Sequence, residues 1–302
     1  MDKIEKIKSF ILSRRRSVAR TAPGVCINCG SSKAFYIGGE AIADFDVDSI
    51  VSKKLAALFK TKWNGVCETC GIFQNYIRFD RDQIASWCQQ LISKDRAVSD
   101  EAFRSYPVPA EYINKFEDTY FKKRLKNWDQ YFSVMGFTPR RALFIRPFFG
   151  GSPKFVAEMY GAEVSGLEIS AICQQTTIDR VPTYKPLNGQ VHGYFDGEFL
   201  SGDRYDAIFV FHTLCHSCDV HEMLDKLSGL MSPEGVIIFS HEVHRKPTNP
   251  FHTLYMSEWN LRGLLEHHFR RIDRIDDCDD EAADFVTAFT LKNDNPDFAV
   301  WR

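Results

Sequence analysis

Apolar runs that alternate with helical patterns over residues 141–291 place the strongest constraint on the fold of this chain. The clearest run is Tyr205–Phe211, and shorter runs at 142–145, 164–168 and 235–239 are each followed by a predicted helix. Weaker runs complete the set of predicted strands at 191–193, 270–275 and 285–291. Parallel strands need a connection long enough to hold a helix, so this alternation predicts an α/β domain with a mostly parallel, seven-stranded sheet.

Two features at the ends of the first predicted strands are typical of a nucleotide-type ligand site. The turn at residues 146–152 contains Gly150 and Gly151, which let backbone approach a ligand, and it leads into a helix whose N-terminus attracts an anionic group. Glu168 ends the second predicted strand, where an acidic residue accepts hydrogen bonds from ribose hydroxyls. We expect Ser152 to cap the helix and Pro153 to open it.

Two copies of one short cysteine motif predict a metal site. Cys26 and Cys29 lie in a C-x-x-C-G sequence, and Cys67 and Cys70 lie in a second one. In each copy, glycine relieves the backbone directly after the second cysteine. Four thiolates suit a closed tetrahedral site, so we predict a structural Zn²⁺ ion with no catalytic role. The long spacing between the motifs predicts an insertion at residues 40–60.

Three further motifs carry a resemblance to a known family. Residues 209–216, FVFHTLCH, resemble the fourth-strand motif of class I S-adenosylmethionine-dependent methyltransferases, which is commonly H-x-L-E-H. Residues 230–235, LMSPEG, resemble that family's L-x-P-G-G turn, and residues 252–257, HTLYMS, fit the H-x-x-Y-[FM]-S run of bacterial sugar C-methyltransferases and their relatives. Those proteins carry an N-terminal zinc-binding region, which the paired cysteine motifs resemble.

The resemblance implies a Rossmann-like methyltransferase domain that binds S-adenosylmethionine and methylates a small molecule, such as a sugar or a nucleotide-linked sugar. It implies that His252 is the general base and that Tyr255 orients the substrate, with His216 as a third catalytic residue. It also places Asp196 near the adenine. The expected cofactor-binding residues are Arg146, Phe149, Gly150, Gly151, Glu168, Asp196 and His212.

This chain departs from the family at the end of the first strand. The usual acidic residue corresponds to Ile145 or Arg146, and the usual three-glycine turn keeps only Gly150 and Gly151. Cys215 stands at the glutamate of H-x-L-E-H. A lost first-strand carboxylate removes a partner for the cofactor's ammonium group, at a cost of about 1.5–3 kcal/mol.

The rest of the pattern divides the chain into four segments. We predict an N-terminal helix at residues 1–20, a zinc-ribbon-like domain at 21–78, a helical connector at 79–136 and the methyltransferase-like domain at 137–302. The connector is predicted to hold amphipathic helices at 81–95 and 110–134.

Composition and charge narrow the class of partner. The net charge of −2 gives no overall positive potential, so we expect a small-molecule substrate and no nucleic acid. The sequence lacks the roughly 18 consecutive apolar residues of a membrane span. Its charged first residues contain no apolar signal core, which favours a cytoplasmic protein.

Other functions remain open on the sequence alone. The changed first-strand turn favours a scaffold or binding protein that kept the methyltransferase fold without catalysis. A ribonucleic-acid methyltransferase that docks through the ribbon is another alternative. The histidines near the predicted mouth of the sheet, His212, His216, His241 and His244, also leave open a second metal site.

Overall fold

The computed structural model describes twelve segments of the chain. They are residues 25–36, 64–75, 106–120, 122–168, 170–190, 196–197, 203–217, 219–242, 254–256, 258–269, 271–276 and 285–291. The predicted helices at 1–20 and 81–95, the insertion at 40–60, the strand at 191–193 and His252 lie outside these residues.

Strands and helices alternate through the second half of the chain, as the sequence predicts. In chain order, the elements are β1 (Ala34–Tyr36), β2 (Asn64–Cys67), β3 (Phe73–Asn75), α1 (Ala110–Tyr120), α2 (Lys122–Met135), β4 (Arg141–Ile145), α3 (Gly151–Tyr160), β5 (Glu163–Leu167), α4 (Ala171–Arg180), β6 (Lys185–Pro186), β7 (Gly189–Gln190), β8 (Asp196–Gly197), β9 (Tyr205–Phe211), α5 (Val220–Leu230), β10 (Met231–Glu242), β11 (Leu254–Tyr255), α6 (Glu258–Glu266), β12 (Arg271–Asp276) and β13 (Phe285–Leu291). The helix predicted at 110–134 corresponds to α1 and α2, which lie on either side of residue 121, a position outside the described residues.

The main sheet has seven strands within the described residues, in the order β6-β5-β4-β9-β10-β13-β12. The first five strands of that order run parallel, whereas β13 is antiparallel to both β10 and β12. The edge strand next to β5 is β6, which precedes the predicted strand at 191–193. An α/β fold with a largely parallel sheet is therefore confirmed.

The chain reverses its direction across the sheet between β4 and β9. It first moves outward from β4 through β5 to β6, and then returns to place β9 on the other side of β4. Such a switch point opens a crevice at the carboxyl ends of the two strands, and ligands of doubly wound sheets bind there. The fold thus directs attention to the residues that follow Ile145 and Phe211.

Strict alternation of side chains gives the sheet two buried faces. On β4, Leu143 and Ile145 pack in one hydrophobic cluster, whereas Ala142 and Phe144 pack in the other. Helices α2 and α3 cover the Phe144 face, and α5 and α6 cover the opposite face. Both faces are apolar because parallel strands between helix layers have no solvent-facing side.

A small second sheet packs beside the α5–α6 face. Its antiparallel order is β1-β2-β3-β11, so a strand from the loop after β10 completes the sheet of the cysteine motifs. Ile72, next to β3, is fully buried in the same cluster as Leu254 and Leu261. The second sheet and the main domain therefore share one core.

Two helices, α4 and α5, begin with a side-chain cap, whereas α3 does not. The Ser170 hydroxyl accepts a hydrogen bond from Cys173 N at 3.3 Å, and the Asp219 carboxylate accepts one from Glu222 N at 2.9 Å. Helix α3 instead begins at Gly151 after a left-handed Gly150 with φ 82°, so the expected Ser152 cap is wrong. No described helix is long and apolar enough to cross a membrane.

Phe209 is the aromatic centre of the Phe144 face, and its truncation tests that packing. The side chain is fully buried and stacks on Phe144 with ring centroids 4.6 Å apart. We expect Phe209→Ala to lower the free energy of unfolding by about 3–5 kcal/mol, because it leaves a cavity. Met159→Ala is the control, since Met159 is 56% exposed, and it should cost less than about 0.5 kcal/mol. Urea unfolding measures both; equal losses would contradict the assignment.

Candidate functional site

The two cysteine motifs fold into matching turns. Gly30 N donates to Cys26 O at 2.9 Å, and Gly71 N donates to Cys67 O at 2.8 Å. Gly30 has a φ of 70° and Gly71 a φ of 71°, a region that residues with a Cβ rarely adopt. Each turn therefore directs two sulfur atoms to the same side, as the sequence predicts.

The four sulfur atoms form one cluster. Cys26 Sγ lies 3.6 Å from Cys70 Sγ, and Cys29 Sγ lies 3.5 Å from Cys67 Sγ. All four lie within 4.8 Å of one another. Tetrahedral zinc with Zn–S bonds of about 2.3 Å separates its sulfurs by roughly 3.8 Å, whereas a disulfide needs about 2.05 Å. The spacing thus fits a four-thiolate metal centre.

The pKa values of these thiols differ with their surroundings. Burial raises the pKa of Cys26 above its ordinary value. Burial acts in the same direction on Cys67, but hydrogen bonds from the backbone of Cys70 and Thr69 and from the thiols of Cys29 and Cys26 together outweigh it and lower the pKa of Cys67 to about 7. Backbone N–H groups within the turn therefore stabilise a thiolate at one ligand position before any cation contributes.

Side chains from both domains hold the first turn in place. The fully buried Gln74 accepts a hydrogen bond from Ile27 N at 2.8 Å and donates one to Val25 O at 3.2 Å. From helix α5, His221 Nε2 lies 2.8 Å from Asn28 O, and because a carbonyl only accepts, this nitrogen carries the proton. The contact joins the cysteine cluster to the main domain.

A chain of polar contacts extends from that histidine. His221 Nδ1 lies 2.8 Å from His268 Nε2, and His268 Nδ1 lies 2.9 Å from Asp225 Oδ1. Burial lowers the pKa of His268, against the opposing effect of the Asp225 carboxylate. On the second turn, Asn260 Nδ2 donates to Gly71 O at 3.1 Å. Each cysteine turn therefore has a backbone carbonyl bound by a helix of the main domain.

At the switch point, three non-glycine residues adopt left-handed backbone conformations. They are Arg146 with φ 62°, Phe148 with φ 53° and His212 with φ 44°. Conformations of this kind cost about 1–3 kcal/mol each and concentrate at functional sites. Since the first two follow β4 and the third follows β9, the structure concentrates this strain where the fold opens its crevice.

Arg146 links the ends of the two central strands. Its Nη1 donates to His212 O at 2.9 Å, and its guanidinium lies 5.0 Å from the centroid of the Phe148 ring. The Phe148 and His212 rings meet edge to face at 6.4 Å. Arg146, Phe148 and His212 thus form one contact group, which we call the switch-point cluster.

Glu168, at the end of β5, faces this turn. Its Oε2 accepts a hydrogen bond from Phe148 N at 3.1 Å, and its Oε1 accepts one from Ser170 N at 3.0 Å. These two bonds orient the carboxylate beside the first turn. The predicted position of Glu168 beside the first turn agrees with this geometry.

The two glycines of the turn are explained by contacts with neighbouring helices. A Cβ on Gly150 would lie 3.0 Å from Thr177 Cα, and a Cβ on Gly151 would lie 2.6 Å from Glu117 Oε1. The Thr177 hydroxyl also donates to Phe148 O at 3.0 Å. Close packing against the backbone of α4, together with the left-handed conformation, therefore favours glycine at position 150, whereas the neighbour of Gly151 is the end of a side chain.

Other predicted residues lie in varied settings. Phe149 is buried against Val108, Ile113 and Cys173, so its side chain supports the turn from behind. His216 is half-buried in a 3₁₀ turn, Leu214–His216, directly after β9. Backbone positions alone are described for Asp196 in β8 and Tyr255 in β11, and His252 lies outside the described residues.

Sequence reasoning missed Glu117, Arg180 and Thr177, which support the turn from α1 and α4. Glu117 and Arg180 form an ion pair, with Nη2 to Oε2 at 2.8 Å, and Arg180 Nη1 donates to Phe149 O at 2.6 Å. The only signal in the sequence is their place on amphipathic helices, which does not indicate the contact.

Comparison with known proteins gives likenesses to solved structures only. No family model and no curated protein matches the chain. A protein from Nostoc punctiforme that is described as an O-methyltransferase is 15% identical with a TM-score of 0.44, covering 56% of this chain and 55% of that chain, little more than half its length. The N-methyltransferase NodS from Bradyrhizobium japonicum, in complex with S-adenosyl-L-homocysteine, is 13% identical with a TM-score of 0.45, covering 58% and 90%.

The plantazolicin methyltransferase BpumL, also in complex with S-adenosyl-L-homocysteine, is 14% identical with a TM-score of 0.46, covering 69% of this chain and 99% of that chain. These identities and TM-scores are low, so the likenesses do not identify a ligand for this chain. Its chemistry has to be interpreted from its own residues.

The contact of Gly150 with Thr177 gives a test of how the turn is built. We expect Gly150→Ala to lower the free energy of unfolding by about 2–4 kcal/mol, from left-handed strain plus the clash. Gly161→Ala is the matched control, because Gly161 has a φ of 65° with nothing within 4 Å of its Cβ position. It should lose only about 1–2 kcal/mol. Chemical denaturation compares them, and equal losses would show that the clash is relieved.

Proposed function

We propose that this protein transfers a methyl group from S-adenosylmethionine to a small molecule, and that a four-cysteine zinc centre stabilises the part of the chain beside the acceptor site. The cofactor would lie at the carboxyl ends of β4 and β5. It would supply an electrophilic methyl group on a sulfonium. The chain's own residues would bind the cofactor, orient the acceptor and remove the acceptor's proton.

The observation that carries the proposal is the position of Glu168. Its carboxylate is oriented by Phe148 N and Ser170 N at the switch point of a parallel sheet. That is where a nucleoside ligand places its ribose, whose two hydroxyls need acceptors. Gly150 and Gly151 support a tight turn next to it. The arrangement fits a nucleoside cofactor better than a scaffold role, which would not require a strained, polar crevice.

The proposed acceptor side follows β9 and β10. We propose His252 as the base that takes the acceptor's proton as the methyl group is transferred, with Tyr255 and His216 orienting the acceptor. Strand β11 lies next to the Leu214–His216 turn, which supports placing Tyr255 and His216 on the same side of the sheet. We propose a sugar or nucleotide-linked sugar as the acceptor, because histidine and tyrosine side chains can form hydrogen bonds with its hydroxyl groups.

The zinc proposal rests on the fit of four sulfurs to a tetrahedral ion. Cys26, Cys29, Cys67 and Cys70 would supply all four ligands, which leaves no open position for a substrate. Asn28 O and Gly71 O bind helices of the main domain, so the metal would stabilise turns that are part of the wider fold. We therefore assign the ion a structural role.

The metal content of the wild type and of a cysteine variant tests the zinc centre. We expect one zinc per chain in the purified protein, and we expect Cys67→Ser to lose most of it, because a thiolate ligand is gone. Elemental analysis measures the metal, and hydrogen exchange over residues 25–36 and 64–75 measures the folding of the turns. Cys278→Ser, at a cysteine that the sequence leaves isolated, should retain full zinc. Zinc-free wild type with protected turns would contradict the proposal.

Cofactor binding tests the methyltransferase proposal. By calorimetry with S-adenosylhomocysteine, Glu168→Gln should bind about tenfold or more weakly than wild type, since one charged acceptor of the ribose hydroxyls is lost. Glu163→Gln is the matched control on the same strand, because its side chain is 83% exposed, and its affinity should stay within about twofold. Wild type that binds no S-adenosylhomocysteine would reject the function; equal affinities in all three proteins would reject only the placement.

A further inference from the structure

Arg146 is a cation held at the switch point with most of its donors uncommitted. Among the described residues, its guanidinium makes one hydrogen bond, from Nη1 to His212 O, and has no carboxylate within ion-pair distance. The side chain is half-buried over the Phe148 ring. An arginine fork has five N–H donors, so four remain for solvent or a ligand anion.

The other cationic feature of the turn is already occupied. The first turn of α3 carries the partial positive charge of a helix N-terminus. The Glu117 carboxylate lies against it, with Oε1 2.6 Å from the position of a Cβ on Gly151. Arg180 pairs with that carboxylate and also donates to Phe149 O, so a ligand's carboxylate could reach the helix end only by displacing Glu117. The helix end is therefore a poor site for a ligand's carboxylate, contrary to what the turn sequence suggests.

Arg146 and Glu168 supply opposite charges to one crevice. Both act on the buried thiol of Cys173: burial raises its pKa, the negative charge of Glu168 raises it further, and the positive charge of Arg146 lowers it. Both charged groups also contact Phe148, Arg146 over its ring with 5.0 Å to the centroid and Glu168 through its backbone N–H at 3.1 Å. A ligand that spans them needs hydroxyl donors at one end and an anionic group at the other.

We propose that Arg146 binds the α-carboxylate of the cofactor's amino-acid portion and thereby selects cofactors that carry this group. This rests on the proposed function, because it assigns the part of S-adenosylmethionine that Glu168 does not hold.

Calorimetry with three ligands distinguishes the contribution of the cofactor's carboxylate from that of its ammonium group. S-adenosylhomocysteine carries carboxylate and ammonium, its decarboxylated analogue carries only the ammonium, and 5′-methylthioadenosine carries neither. Wild type should bind S-adenosylhomocysteine about 10- to 100-fold more tightly than the decarboxylated analogue. Arg146→Met should abolish that preference, while its affinity for 5′-methylthioadenosine stays within about threefold of wild type. Arg141→Met, at the exposed start of β4, is the control and should match wild type for all three ligands.

Each result decides a different point. Wild type that binds none of the three rejects the proposed function itself. Wild type that binds the decarboxylated analogue as tightly as S-adenosylhomocysteine, or Arg146→Met that keeps the full preference, overturns the role of Arg146 alone. If Arg146→Met loses all three ligands because the turn collapses, Arg146→Lys decides: a preserved preference supports the charge role, and a lost preference overturns it.

Discussion

The parallel pairing of β4 with β9 is the constraint on which the candidate site depends. The register ends with Ile145 opposite Val210, so the chain leaves both strands at the same level. Arg146 is then level with Phe211, so its side chain reaches one residue further along to donate to His212 O. The stacked rings of Phe144 and Phe209 hold the pairing in the core. Packing within the sheet thus stabilises a strained polar turn at the carboxyl end of a central strand.

The cysteine module depends on the main domain as much as on its own turns. Its four cysteines come from two separate segments of the sequence, and β11 adds a strand to its sheet from the part of the chain after β10. His221 and Asn260 bind one backbone carbonyl in each cysteine turn. A four-thiolate ion would therefore stabilise local geometry, while the position of the module is set by contacts with α5 and α6. The metal ion and these helix contacts together would explain how such a small sheet packs into the hydrophobic core of the main domain.

Local patterns predicted the parts of the structure that local chemistry determines. The Tyr205–Phe211 strand, both cysteine turns and the place of Glu168 at the end of β5 follow from periodicity and motif spacing. The start of α3 does not follow from local patterns, because Gly150 packs closely against Thr177 of another helix. Strand β6 is two residues long and carries no periodicity at all. The missed features are those that require knowing which helices meet.

The charges around the turn show why a motif comparison at one strand end is incomplete. The resemblance implies an acidic residue where Ile145 or Arg146 stands, and neither is acidic, yet a carboxylate still lies beside the turn, because Glu117 reaches Gly151 from α1. Arg180 balances that carboxylate and also binds Phe149 O. A single sequence position therefore accounts for only one of the charges near a site. The electrostatic potential at the site depends on the charges of every element that packs there. A missing motif residue is not equivalent to a missing interaction, and the ligand preference of this crevice has to be derived from Arg146, Glu117 and Glu168 together.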